Sequence, residues 1–257
     1  MAHYQVILAY DGAQYCGFQR QVNAPTVQGA VERALKQIGW QGQAIMAAGR
    51  TDTGVHASGQ VIAFDLDWRH SPIDLRAAMN AHLPPDIAVQ DVHTVEKGFH
   101  PRIQAISRLY RYSIYCQDTP DPLRDRYAWR VWPSVELDVL GQAASSFIGE
   151  HDFSAFGTPP RPGGSTVRTV YGASWQSLSD LSGRFGLAFE IRANGFLYRM
   201  VRRMVYLQVA VGQGKIRLDV LRKALEMPPS LPLQGLAPPQ GLVLVEVSYP
   251  SGIRRDE

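Results

Sequence analysis

Ala105-Ile106-Ser107-Arg108-Leu109-Tyr110-Arg111-Tyr112-Ser113-Ile114-Tyr115-Cys116 is the stretch at which the chain begins its fold a second time. Ile106, Tyr110, Tyr112 and Ile114 share parity, which is the two-residue period of a strand. Before it, Tyr4 to Tyr10 reads as a strand, and Thr26 opens a helix whose Val27, Val31, Ala34, Leu35 and Ile38 share one face. Thr26 is placed to cap that helix and Gly39 to end it. Ala44 to Ala48 and Gln60 to Leu66 are further strands. In Ser71-Pro72-Ile73-Asp74, Ser caps, Pro takes the first helical position and Asp suits the helix dipole. That helix stops at Pro84-Pro85, and Ile87 to Val95 completes β-α-β-β-α-β.

After the long strand, Leu137, Leu140, Ala144 and Phe147 lie at helical spacing, and Val167 to Leu178 and Phe185 to Ile191 read as strands. Phe196 to Val211 and Asp219 to Met227 read as helices, and Leu242 to Tyr249 alternates as a closing strand. The expectation is an α+β protein of two split β-α-β halves, 1–104 and 105–257, with antiparallel sheets and a cleft between them as the natural site. Two Pro-rich segments, 158–164 and 231–239, read as surface loops.

A chain of 257 residues with 45% hydrophobic content can bury a sizeable core. Its apolar runs are too short to span a bilayer, and Met1-Ala2-His3-Tyr4 lacks the basic and apolar regions of a secretion signal, so a cytoplasmic protein is expected. Cys16 and Cys116 lie far apart without metal-ligand spacing and read as free thiols. The net charge of +3 is compatible with a polyanionic partner without demanding one. Its distribution says more, because Arg192, Arg199, Arg202 and Arg203 concentrate cation in one stretch and could neutralise phosphates if they share a face.

Gly49-Arg50-Thr51-Asp52-Thr53-Gly54-Val55-His56-Ala57 holds one carboxylate between two strands, bracketed by Gly49, Gly54 and Gly59. A neighbouring guanidinium, Arg50, would keep such a carboxylate ionised, as a nucleophile requires. On local chemistry alone, a single Asp in this setting fits an Asx turn or a helix cap better than a nucleophile.

The block nevertheless resembles the GRTDxGVHA signature of TruA-type tRNA pseudouridine synthases. The likeness continues through Tyr10-Asp11-Gly12, Tyr15 to Gln21, Phe99-His100-Pro101-Arg102, Arg108 to Tyr112, Gly149 to Phe153, Asn194 to Arg202 and Ala237 to Leu242, in the family's order. The resemblance implies the pseudouridine synthase fold and isomerisation of uridine at positions 38, 39 and/or 40 of the tRNA anticodon stem-loop, with no cofactor and no metal. It implies that Asp52 is the essential carboxylate. Three first steps fit: attack at C1′, addition to C6, or assistance of a glycal route. Tyr110 corresponds to the tyrosine that packs on the target base, with removal of the C5 proton as an alternative role. Arg202 corresponds to the arginine brought from the second half toward the carboxylate, so that Asp52, Tyr110 and Arg202 are expected to converge. Arg50 is assigned to RNA or to the extruded nucleotide, and Arg20, Arg108 and Lys97 to further RNA contacts. A homodimer with tRNA spanning both subunits is also implied. Two positions depart from the family: Tyr206 stands where glycine is common, and Arg203 where asparagine is frequent.

Other readings remain open. A noncatalytic tRNA-binding or folding factor could use the same cleft, and a carboxylate-dependent hydrolase could use Asp52 with His56. The Asp52 and His56 spacing has no third ligand nearby to make a metal site. Gly212-Gln213-Gly214-Lys215 lacks the spacer and hydroxyl of a P-loop.

Overall fold

The computed structural model describes residues 1–179, 184–228 and 233–251. They form two compact units, one running from Met1 to Ser107 and resuming at Val243, the other spanning Arg108–Leu242. Each is α+β with mostly antiparallel strands.

The first unit contains β1 (Ala2–Tyr10), α1 (Val27–Gln37), β2 (Met46–Ala47), β3 (His56–Leu66), α2 (Pro72–His82) and β4 (Ile87–Val95), the order read from the sequence. β1 is central, antiparallel to β4 on one side and β3 on the other. Val6 and Leu8 of β1 are fully buried, and α2 packs on β4. Both helices start where their caps predict. The Thr26 side chain accepts from the Gly29 amide, while Ser71 and Asp74 form a reciprocal capping box with Pro72 in the first turn. Val27, Val31, Ala34 and Leu35 of α1 are buried as expected, whereas Ile38 is the C-cap and only partly buried. Glu32 is buried in the same helix, with its carboxylate held by Arg20, Gln28 and the Ile45 amide.

The second unit contains β5 (Ser107–Cys116, within this unit from Arg108), α3 (Pro122–Asp125), β6 (Trp129–Val131), α4 (Leu137–Ser145), β7 (Gly149–Asp152), β8 (Val167–Ser179), β9 (Phe185–Ala193), α5 (Met200–Gly212) and α6 (Leu218–Glu226). Its sheet runs β5-β9-β8-β7, antiparallel throughout, with β6 added parallel to the end of β5. α4 packs against β8 and α5. In β5, Tyr112 and Ile114 are buried and Tyr110 is half-buried. Ile106, placed with them by parity, precedes the strand and is exposed.

The strand read at the C-terminal end, β10 (Leu242–Ser248), pairs in parallel with β3 of the first unit, at His56 and Ala57. Gly59 permits this, because a Cβ there would lie 2.2 Å from the Val245 carbonyl oxygen. By compactness the chain divides after Ser107, and the residues from Val243 group with the first unit. The helix expected from Phe196 starts only at Met200, because Arg199 adopts a left-handed conformation (φ 63°) and Tyr198 is engaged with Thr158. The strand read over Ala44 to Ala48 is shorter, Met46–Ala47 paired with β3, and the Ala48 amide donates to the Val61 carbonyl at 2.8 Å.

Residues 231 and 232 of the second Pro-rich loop lie outside the described residues. Cys16 and Cys116 are free thiols, one in each unit. Among the described residues no helix is long and apolar enough to cross a membrane.

Candidate active site

Asp52 lies half-buried on the loop between β2 and β3, and the backbone on either side of it is held by groups from elsewhere in the first unit. The Phe18 amide donates to the Thr51 carbonyl at 3.1 Å, and the Gly54 amide donates to the Tyr15 carbonyl at 3.3 Å. The Val55 amide donates to the Asp52 carbonyl at 3.1 Å, closing the turn. Gly17 faces this loop so closely that a Cβ would stand 2.9 Å from the Thr51 carbonyl oxygen, and its φ of 90° favours glycine in any case.

Side chains complete the hold. The Tyr10 hydroxyl and Thr51 Oγ1 are 2.8 Å apart, and Gln60 Nε2 donates to the Gly49 carbonyl at 3.1 Å. All three residues are buried, and burial pushes the Tyr10 hydroxyl up to about 12, against the opposing effect of its bonds with Thr51 and Gln60. β3 also carries one extra residue here, since Leu8 pairs with Gln60 but Tyr10 with Ala57. Such a bulge bends a strand beside a site and re-aims its side chains. His56, buried at the start of β3, turns Nδ1 to the Gly12 amide (3.0 Å) and to Asp11 (3.1 Å), so its ring is engaged at the end of β1. Among the described residues no three His, Cys, Asp or Glu side chains gather as metal ligands.

Arg50 is exposed and forms no ion pair with Asp52 or any other described residue. Arg20 is committed to buried Glu32 (2.7 Å) and to the Gln43 carbonyl (3.2 Å), a structural engagement that competes with an RNA contact. Lys97 is exposed on the turn after β4.

In the second unit, the half-buried Tyr110 ring meets the Phe196 ring edge-on, with centroids 5.1 Å apart and planes at 86°. Such T-shaped contacts fix ring orientation as well as adding burial. Phe196 sits in the loop that replaces the expected first turn of α5. On the same strand, Arg108 donates to the Asn194 carbonyl at 2.9 Å. Arg202, on the first turn of α5, is buried, and its Nε donates to the Ala237 carbonyl at 2.8 Å. Neighbouring Tyr112 is buried and donates to the Pro238 carbonyl; burial raises its hydroxyl pKa, and the Arg202 charge opposes that rise.

The four arginines of the basic stretch do not share one face. Arg192 lies on β9, Arg202 and Arg203 are turned onto the carbonyls of Ala237 and Phe156, and exposed Arg199 covers the Tyr198 ring. Burial, with the Arg199 charge second, lowers the pKa of Arg203. Of the departures from the family pattern, Tyr206 stacks on Trp129 and its ring fills the space where a Cβ on Gly235 would sit. Gly212-Gln213-Gly214-Lys215 is the stop of α5, where the Lys215 amide donates to the Ala210 carbonyl.

Asp52 and Arg50 thus belong to one loop of the first unit, and Tyr110, Arg108 and Arg202 to the second. Reading the sequence missed Tyr10 and Gln60 as partners of the Asp52 loop; the available signal was a hydroxyl and an amide at the ends of otherwise apolar strand runs.

A family model described as tRNA pseudouridine synthase matches residues 6–102 and 143–250. A "tRNA pseudouridine synthase A" of Pseudothermotoga lettingae is 40% identical over 252 residues, covering 97% of this chain and 100% of the relative. Proteins of the same name from Methylacidiphilum infernorum and Geobacter sp. are each 37% identical, covering 96% and 97% of this chain and 95% and 100% of the relatives.

Proposed function

The chain belongs to the tRNA pseudouridine synthase family, and from that premise we propose that it converts uridine to pseudouridine at positions 38, 39 and/or 40 of the tRNA anticodon stem-loop, with Asp52 as the essential carboxylate. In this isomerisation the N1–C1′ bond breaks, the uracil turns, C5 bonds to C1′, and the proton lost from C5 is balanced by one gained at N1. The observation that carries the reading is the Gly49–Ala57 block, in which Asp52 is the one acidic residue, on a loop pinned from both sides. A carboxylate on a fixed backbone reacts with little reorganisation.

The remaining roles follow from each residue's setting. Tyr110, oriented by Phe196, is assigned to stacking on the target base, and Arg202 to the same uridine from the second unit. Arg50 is exposed and unengaged by protein among the described residues, which suits a phosphate of the distorted backbone. Arg108 and Lys97 are secondary RNA contacts, and Arg20 is the weakest because of its bond to Glu32. The proposal extends to a cytoplasmic homodimer that binds tRNA across both subunits.

The test is tritium release from tRNA carrying 5-tritiated uridine, with pseudouridine mapped in the product. The native protein releases tritium at the anticodon-arm positions, and Asp52→Ala reduces release to background while still binding tRNA. Isomerisation by Asp52→Ala at the native rate overturns the assignment. RNA binding without isomerisation by the native protein would instead favour a noncatalytic tRNA-binding role.

A further inference from the structure

Tyr10, Gln60 and Thr51 place three polar side chains in the interior of the first unit, where apolar residues of similar shape would pack at less cost. Tyr10 is 4% exposed, Thr51 7% and Gln60 0%. A buried hydrogen bond contributes little net stability, and replacing both partners by apolar groups of the same shape is often neutral or stabilising. Stability alone therefore does not account for the arrangement.

Its geometry converges on the residues flanking Asp52. Gln60 lies in β3 beside the bulge, and its Nε2 donates to the Gly49 carbonyl at 3.1 Å and reaches the Tyr10 oxygen at 3.5 Å. Its Oε1 accepts from the Val61 amide, which fixes which end of the amide faces the loop. Tyr10 ends β1, and the acceptor available to its buried proton is Thr51 Oγ1, at 2.8 Å. The donors therefore run from Gln60 to Tyr10 to Thr51. Thr51 is held by its side chain through Tyr10 and by its carbonyl through Phe18, so the peptide leading into Asp52 is fixed in orientation.

We propose that the buried Tyr10–Gln60 pair, acting through Thr51, positions Asp52 for reaction. Tyr10, Gln60 and Thr51 are positioning residues in this account, since they act on the backbone that carries the carboxylate. The inference rests on Asp52 being the reacting group, as assigned above. A displacement of about 1 Å at a reacting group can cost about 100-fold in rate, so losing the hold is expected to affect the chemical step far more than RNA binding.

Single-turnover tritium release, tRNA affinity by filter binding and thermal unfolding are measured for the native protein, Asp52→Ala, Thr51→Val, Thr51→Ser and the double variant Tyr10→Phe with Thr51→Val. The double variant, whose buried hydroxyls are removed together, is expected to unfold near the native temperature and bind tRNA within about twofold of native, yet react about 10- to 100-fold more slowly. Thr51→Ser keeps the hydroxyl and is expected to stay within a few-fold of native rate. The inference is overturned if the double variant reacts within twofold of native, if Thr51→Ser loses as much rate as Thr51→Val, or if the double variant's loss comes with collapse of its unfolding temperature. Activity in Asp52→Ala would instead remove the underlying assignment and this inference with it, an outcome distinct from fast double variants beside an inactive Asp52→Ala.

Discussion

Arg202 and Ala237 hold each other twice: Arg202 Nε donates to the Ala237 carbonyl, and the Ala237 amide donates back to the Arg202 carbonyl. A helix side chain and a distant loop are thereby locked in register, and Ala237 is fully buried at the joint. Truncating Arg202 to Ala removes a donor from a buried carbonyl, which costs about 1–3 kcal/mol. Arg202→Lys keeps a charge but has no Nε–H in the guanidinium fork to reproduce the bond. Both variants are expected to lower the urea midpoint, with Lys recovering little of the loss, and to slow tritium release. A Lys variant with native midpoint and rate would show that charge alone suffices.

Gly17 and Gly39 form a matched pair for testing whether the Asp52 loop is tightly enclosed. Both have φ near 90°, so an alanine at either is strained by about 1–3 kcal/mol. A Cβ at Gly39 meets nothing within 4 Å, whereas one at Gly17 meets the Thr51 carbonyl oxygen and the Asp52 backbone. Gly17→Ala should therefore lose stability and activity, and Gly39→Ala stability alone. Equal activity in the two variants, measured well below their unfolding temperatures, would contradict close packing of the loop.

Local features of the fold were legible because their causes are local. Thr26, Ser71 and Asp74 cap helices through bonds spanning three residues, and they stand where their spacing placed them. The Asp52 block was legible as a continuous motif. The pairing of β10 with β3 was not, because an alternating strand carries no mark of a distant edge that it will also join; the approach of Val245 to Gly59 is a tertiary event. Likewise, the spacing of Arg199, Arg202 and Arg203 describes a helix, but their destinations depend on the Ala237 and Phe156 carbonyls and on the left-handed turn at Arg199.

Alkaline pH offers a probe of the Tyr10 hydroxyl. Folded Tyr10 holds its proton up to about 12, against 10.0 for an unperturbed tyrosine. The stability arising from this difference is whole below pH 10 and is lost as pH rises through about 12, amounting to about 2–3 kcal/mol at the upper end. Tyr112 is raised by burial in the same direction. The urea midpoint should fall steeply above pH 10, and Tyr10→Phe should flatten part of that fall. An unchanged slope in Tyr10→Phe would mean that Tyr10 ionises as readily in the folded protein as in the unfolded chain.

Tyr110 and Phe196 separate a ring's face from its hydroxyl. The edge-on contact with Phe196 orients the Tyr110 ring on β5, and a ring so held is suited to stacking on a base. Base–aromatic stacking is worth about 1–3 kcal/mol, so Tyr110→Ala should weaken tRNA affinity by about tenfold or more. Tyr110→Phe keeps the ring and should bind within about twofold of native. Phe196→Ala leaves Tyr110 in place but removes its support, so its affinity should fall between these two. Filter binding with the tRNA transcript gives the order, and single-turnover release in Tyr110→Phe then isolates what the hydroxyl adds to the chemical step. If Tyr110→Phe binds as poorly as Tyr110→Ala, the hydroxyl rather than the stacked face holds the RNA.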